Sequence, residues 1–296
     1  MGSTIEKKSS MEKFSEHQKG LVAILLTALL WSSGGLLVKL ISLSAMQLSF
    51  FRCIIAALVF AAIFKKQVFY LNGLAVVNAI FYATVLVLFV YSTKSTTAAN
   101  AIFLQSTAPI YVFLIEPLLN KTKYEKINII TVIICSLGMV LFFVDEITPG
   151  QMNGNIAGLG AGLAFAAMFV GLRVNKKEFQ LSSIFYGNML VAVFTFQFLF
   201  DIEQLLVSDL LMVSFLGIFQ IGIAYAIFSY GLHRVQAFEA SVMSLLEPLL
   251  NPIWVFIGYN ERPSFNALLG GGIILSAILL RTVFVEIWEK KKVKRD

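Results

Sequence analysis

Residues 20 to 41 read GLVAILLTALLWSSGGLLVKLI, 22 residues that carry a single charge, Lys39. At about 1.5 Å of rise per residue, a helix of that length crosses the roughly 30 Å hydrocarbon core of a bilayer. Nine further stretches have the same character: Ala45 to Phe64, Leu71 to Ser92, Thr96 to Leu119, Lys126 to Val144, Asn155 to Val174, Leu181 to Phe200, Leu210 to Leu232, Gln236 to Ile257 and Ser264 to Val285. They are long, they lack the period-two alternation of barrel strands, and a helix satisfies each backbone polar group within its own segment. The expected fold is an all-α integral membrane protein with ten transmembrane helices. Composition agrees: apolar residues fill 58% of 296 positions and charged residues 14%, against about 45–50% and about 25% in a soluble chain.

Basic residues set the expected orientation, because cytoplasmic loops retain Lys and Arg. With the N-terminus inside, the inner segments hold 19 of the 23 basic residues and the outer segments only Lys94 and Arg262, with Lys39 and Arg52 inside spans. Both termini are therefore expected in the cytoplasm, in a plasma or bacterial inner membrane. The net charge of +6 is dispersed over these short segments, with no single patch for nucleic acid. The basic tail Lys290 to Arg295 serves as a stop-transfer flank or touches anionic lipid. The N-terminal run reads as a retained first helix and not a signal peptide, and Glu6 spoils a myristoylation motif. Cys53 and Cys135 fall within spans, as small apolar packers.

The two halves of the chain match when slid by 134 to 139 residues. Offset 134 pairs Gly20 with Gly154, Trp31 with Phe165 and Lys39 with Arg173. Offset 139 pairs Phe89 with Phe228, Tyr91 with Tyr230, Ala98 with Ala237 and Pro109 with Pro248, and offset 138 pairs Asn128 with Asn266. Five helices per half is an odd number, so the second half enters the membrane from the opposite side. Such inverted repeats are a recurrent transporter architecture, in which two halves rock about a site between them. The expected division is a tail over 1–19, a first repeat over 20–144, an outer connecting loop over 145–154, a second repeat over 155–285 and a basic tail over 286–296.

Several short elements in order carry a resemblance. Span one has Trp31-Ser32-Ser33-Gly34 with Lys39 beyond it, span two has Phe51-Arg52, and span nine and its exit have Leu246-Glu247-Pro248 and Gly258-Tyr-Asn-Glu261-Arg262. Over residues 20 to 285 the sequence resembles the drug/metabolite transporter superfamily in its ten-helix EamA form. The resemblance implies a solute carrier, commonly an exporter of small organic molecules. The first half departs from the pattern, with Asn120-Lys121-Thr122-Lys123 where Glu-Arg is expected, so subfamily and substrate stay open.

An ionisable residue within a span is a functional candidate by default, since a charge in hydrocarbon costs about 2.5–3.5 kcal/mol on insertion scales. Glu247 lies deepest, 11 residues into its span and so about 16 Å from the end. Pro248 follows it, and proline removes a backbone donor and pushes away the carbonyl four residues back, that of Ser244. With Asn251 and Pro252 next, span nine is expected to kink and present a free carbonyl, a carboxylate and an amide at one depth, the half-helix device of transporter sites. Pro109 is the matching kink of the first half. Glu247 is the expected partner for a cationic part of the substrate or a coupling proton, with a structural ion pair as the alternative. Lys39 and Arg52 are the basic candidates; Lys39 has the plainer reading of snorkelling to the interface, and Arg52 pairs with a carboxylate or with substrate. Glu116 and Glu239, near inner ends, read as gating ion pairs or as solvated flanks. Trp31, Tyr82, Gln105, Gln220, Tyr225, Tyr230 and Trp254 are cavity-lining candidates, with packing as the alternative for each.

Gly154, Gly158 and Gly162, and Gly270 to Gly272 with Ser276, are small-residue stripes for close helix contact within the fold, or in a homodimer. His17 and His233, the two histidines, offer no catalytic dyad at depth, and the chain has no phosphate-binding loop, so neither a membrane enzyme nor a primary pump is expected. No metal or cofactor is expected. The functional expectation is a secondary transporter for a small polar organic solute, an amino acid, amine or related metabolite. A non-transporting sensor, scaffold or membrane enzyme is the alternative.

Overall fold

The computed structural model describes residues 15–96, 98–121, 123–144, 152–250, 254 and 264–293. Among them there are helices and turns and no strand. In chain order the helices are α1 (Glu16–Trp31), α2 (Gly34–Leu40), α3 (Ala45–Phe64), α4 (Gly73–Ser95), α5 (Ala98–Gln105), α6 (Ala108–Asn120), α7 (Lys126–Phe143), α8 (Met152–Val174), α9 (Lys177–Thr195), α10 (Val207–Phe215), α11 (Ala224–Leu232), α12 (Ala237–Met243), α13, described over 246–250, and α14 (Phe265–Val293).

Helix starts follow local chemistry more than hydropathy. α1 begins four residues ahead of Gly20, because Ser15 and Gln18 form a reciprocal cap: Gln18 N–H donates to Ser15 Oγ at 3.1 Å and Ser15 N–H to Gln18 Oε1 at 2.9 Å. Ser44 and Gln47 repeat the device at α3, and Asn72 Oδ1 accepts the Ala75 N–H at 2.6 Å to start α4.

Seven stretches are long and apolar enough to cross a bilayer: Glu16–Leu40, Ala45–Phe69, Gly73–Ser95, Asn100–Leu119, Met152–Val174, Lys177–Asp201 and Val207–Leu232. Lys126–Leu141 and Leu268–Phe284 are apolar but shorter. The described residues thus fall short of ten full spans, and most of the second part of span nine lies outside them. Three expected spans are also interrupted. Span one breaks at Ser32–Ser33 into α1 and α2, span four at Ser106–Thr107 into α5 and α6, and span nine at Ser244–Leu245 into α12 and α13. Span eight stays continuous but widens into a π-helical stretch, Leu216–Ile223, between α10 and α11.

α4 lies at the centre, against α8 and α9; α3 covers α9 and the π stretch, α1 packs on α11, and α7 pairs chiefly with α14. Lipid tails are as apolar as the interior, so packing and not water exclusion holds such helices together. The glycine stripe of α8 shows how close they come. A Cβ on Gly158 would lie 2.9 Å from Leu104 Cβ, and one on Gly162 2.8 Å from both the Leu104 carbonyl and Thr107 Oγ1. The stripe therefore faces α5 and the break before α6 in the same chain. The outward faces carry the exposed leucines and phenylalanines, Leu118, Leu137, Phe200 and Leu280 among them.

Candidate functional site

Short polar side chains stand at all three breaks. Ser32 Oγ donates to the Leu29 carbonyl at 2.7 Å, Ser33 Oγ to Leu30 at 2.9 Å, Thr107 Oγ1 to Leu104 at 2.6 Å and Ser244 Oγ to Ser241 at 2.7 Å. Hydroxyls bonded to their own backbone compete with the helix ladder, and Pro109 and Pro248 begin the next segment without a donor to restore it. At the break of span nine Glu247 N–H donates to the Ser244 carbonyl at 2.9 Å, and Leu245 N–H to Val242 at 3.1 Å. The expected free carbonyl is therefore a correction. The chain tightens into three-residue bonds ahead of the proline, and Ser244 O is occupied. Ser244 shapes the break; Asn251 and Pro252 lie outside the described residues.

These interruptions converge. Trp31 at the end of α1, Arg52 from α3, Gln105 at the end of α5, Gln220 from the π stretch, Tyr225 from α11 and Glu247 from α13 line one internal cavity, completed by Val85, Leu86 and Phe89 of α4, Phe165 of α8 and Ile221. The space open to the centre of a water molecule is about 20 Å³, room for one water. Aromatic rings fill the rest: Trp31 meets Tyr225 at 4.9 Å, Phe228 at 5.2 Å and Phe165 at 5.5 Å between centroids. Gly34 admits Gln220, since a Cβ there would stand 2.6 Å from Gln220 Nε2.

The wall is polar and incompletely satisfied. Arg52 is 1% exposed, and its Nη2 donates to the Leu86 carbonyl at 3.3 Å; among the described residues Nε and Nη1 have no hydrogen-bond partner. Trp31 Nε1, Gln105 Oε1 and Gln220 Oε1 are likewise buried without hydrogen-bond partners among the described residues. Glu247 is 7% exposed. The ion pairs of the described residues include neither Arg52 nor Glu247. One basic and one acidic side chain thus line one cavity without an ion pair among the described residues, and burying ionisable groups unpaired costs free energy.

The other sequence candidates stand elsewhere. Tyr82 lies behind the wall, its hydroxyl accepting Asn188 Nδ2 at 3.0 Å and its ring edge-on to Tyr225 at 4.7 Å. Trp254 Nε1 donates to Ser32 Oγ at 2.7 Å, tying the chain beyond α13 to the break in span one. Lys39 is not at the cavity: its Nζ donates to the Thr96 carbonyl at 2.7 Å beyond α4, while Lys94 Nζ reaches the Ile41 carbonyl beyond α2, so each lysine holds the other's helix end. Tyr230 is 42% exposed beneath the Arg234 guanidinium, 3.6 Å above its ring. Sequence reasoning missed the apolar wall, although the repeat pairing of Trp31 with Phe165 and of Phe89 with Phe228 was a usable signal. Among the described residues no cluster suits a metal ion.

Where α1 begins, the bundle end is stitched by charge. Glu239 accepts Arg281 Nη1 at 3.0 Å and pairs with His17 Nε2 at 2.9 Å, and Arg281 Nε donates to Asn128 Oδ1 at 3.0 Å. Glu116 accepts the Ala237 and Phe238 N–H groups at 3.0 and 2.8 Å, capping α12. Both acids are buried, so neither is a solvated flank, and the ion-pair reading of Glu239 is the one that matches.

Comparison with known proteins adds the following. The EamA-like transporter family matches residues 18–144 and 152–283, one copy per half. An uncharacterized transporter of Archaeoglobus fulgidus is 25% identical over 267 residues, covering 88% of this chain and 95% of its own. Human solute carrier family 35 member G1 is 23% identical, covering 87% of this chain and 77% of its own, and the uncharacterized inner membrane transporter YicL of Salmonella typhimurium is 23% identical, covering 89% and 95%. One crystal structure superposes with a TM-score of 0.76 at 17% identity, over 91% of this chain and 98% of the other, which shows the shared fold. A multi-pass helical chain built of two repeats, with transporters as its relatives, belongs to the EamA-like transporter family.

Proposed function

We propose that this transporter crosses the membrane ten times as two inverted five-helix repeats and moves a small zwitterionic solute, an amino acid or a close relative, by alternating access. Both termini lie in the cytoplasm, and the direction is export across the bacterial inner membrane. The observation that carries the solute class is the pairing of Arg52 and Glu247 on one cavity. Nε and Nη1 of Arg52, unpartnered among the described residues, are donors left for a carboxylate. Glu247 supplies the opposite charge for an ammonium group, and it takes a coupling proton when the solute has left. Trp31, Tyr225 and Phe165 offer aromatic surface to an apolar side chain. With room for one water, the cavity must open to load a solute of this size.

The test is counterflow of labelled solutes in proteoliposomes, in which only a carrier exchanges solute across a sealed bilayer. Amino acids are expected to exchange, and their decarboxylated and deaminated analogues are not. Arg52→Gln and Glu247→Gln each remove a charged contact worth about 1.5–3 kcal/mol, so exchange should fall by about 10- to 100-fold. Undiminished exchange in both variants, or exchange of the amines alone, refutes the assignment.

A further inference from the structure

A second cavity, of about 690 Å³, opens where the α7–α14 pair stands away from the body of the bundle, beside the start of α1. Its lining includes Lys126, Arg173, Arg234 and Arg281 on the polar side and Ile127, Ile130 and Phe284 on the apolar side. Glu125 and Glu239 also reach it. Two of the four bases are committed. Arg281 is held by Glu239 and Asn128, and Arg234 donates to Glu16 at 2.8 Å and to the Tyr230 carbonyl at 2.8 Å. Arg173 spends only Nε, on the Val235 carbonyl at 2.8 Å, and Lys126 has no ion pair among the described residues. One guanidinium edge and one ammonium therefore face the cavity outside any ion pair of the described residues, with the Glu125 carboxylate on the same lining.

His233 reports the potential nearby. Burial, together with the charges of Arg173, Lys177 and Arg234, pushes its imidazole down to about 4, as a field favouring anions does. From the cavity mouth an apolar stripe runs along α7: Ile130, Ile133 and Leu137 are 51%, 53% and 65% exposed. Their spacing places them on one helix face, continuous with the surface that meets lipid tails.

We propose that this crevice binds an anionic phospholipid, with the headgroup phosphate on Arg173 and Lys126 and an acyl chain along the α7 stripe. A positive recess beside an apolar stripe at the membrane boundary has the two chemistries of that ligand in their natural order. Bound there, the lipid bridges α7 to the end of α8, and so ties the α7–α14 pair to the bundle at the end stitched by Glu239 and Arg281.

The experiment is native mass spectrometry of the delipidated full-length chain titrated with phosphatidylglycerol, with phosphatidylcholine as the neutral arm and inorganic phosphate as the soluble arm. One phosphatidylglycerol is expected to be retained in preference to phosphatidylcholine and not displaced by equimolar phosphate. Lys126→Gln and Arg173→Gln are each expected to weaken retention about fivefold, the worth of one basic side chain at a lipid surface. Lys126 is exposed, so its variant tests the site without disturbing the core. The control pair Lys65→Gln/Lys66→Gln removes as much charge elsewhere and should leave retention unchanged. Equal loss in the control, equal retention of phosphatidylcholine, or displacement by phosphate each overturns the proposal.

Discussion

Replacing Arg52 by methionine should make the protein more stable and inactive. The guanidinium is 1% exposed and makes a long hydrogen bond, 3.3 Å to the Leu86 carbonyl, with no ion pair to a carboxylate among the described residues. Losing that bond costs about 1 kcal/mol or less. Burying an ion without its partner carries a penalty of several kcal/mol, which the neutral side chain does not incur. Met retains most of the aliphatic stem that packs in α3, so little volume is lost. The net gain is about 2 kcal/mol, a rise of a few degrees in Tm. The assay is thermal unfolding of detergent-purified wild type and Arg52→Met, followed by tryptophan fluorescence, beside counterflow of the same preparations. Exchange should fall at least about tenfold, the loss of a charge-assisted contact. A Tm lowered by several degrees would mean that the guanidinium already finds its full bonding inside the protein, and the reasoning that it waits for an external carboxylate would fail.

Arg281 should behave oppositely, because its charge is matched. Arg281→Met leaves Glu239 with His17 alone and is expected to cost about 3 kcal/mol, whereas Glu239→Leu/Arg281→Met recovers most of the loss; equal Tm values for single and double variants would dismiss the coupling. His233, held down at about 4 by burial and by Arg173, Lys177 and Arg234, stays neutral in the folded protein while an unfolded chain protonates near 6.5. Its contribution to stability is full above pH 6.5 and is lost as pH falls toward 4, so Tm should drop over that window and His233→Gln should flatten the curve. An unchanged slope in the variant removes His233 from the account. Green fluorescent protein fused after Asp296 should fluoresce and alkaline phosphatase inserted at residues 202–206 should be active; the reverse pattern would reverse the orientation and, with unequal ends, abolish the inverted repeat.

The kink sites show how far local chemistry reaches. Proline in a span is readable without coordinates, and α5–α6 and α12–α13 break just ahead of Pro109 and Pro248, whereas Pro117 lies within an unbroken α6. The break at Ser32–Ser33 has no proline and went unread, although both hydroxyls bond back to the helix. The π stretch has no sequence signature either. It arises where Gly217 and Gly222 press against Ile55 and Val59 of α3, at positions where a Cβ would come within 2.8 Å of those side chains. Glu247 and Arg52 line the cavity, whereas the long side chain of Lys39 reaches a helix end.

The sequence by itself determined that this chain is helical, membrane-embedded and duplicated, because hydropathy and periodicity are sums over neighbours along the chain and need no knowledge of packing. Only the tertiary structure decided which polar residues meet. Trp31, Arg52, Gln105, Gln220 and Glu247 are separated by up to 216 positions, and they share a cavity because glycines on α2, α8 and the π stretch let backbones approach closely enough to close it. The charge balance of that cavity is likewise a property of the fold. Depth along a span says that a charge is costly, whereas the structure shows that Arg52 and Glu247 line one cavity, with no ion pair for either among the described residues.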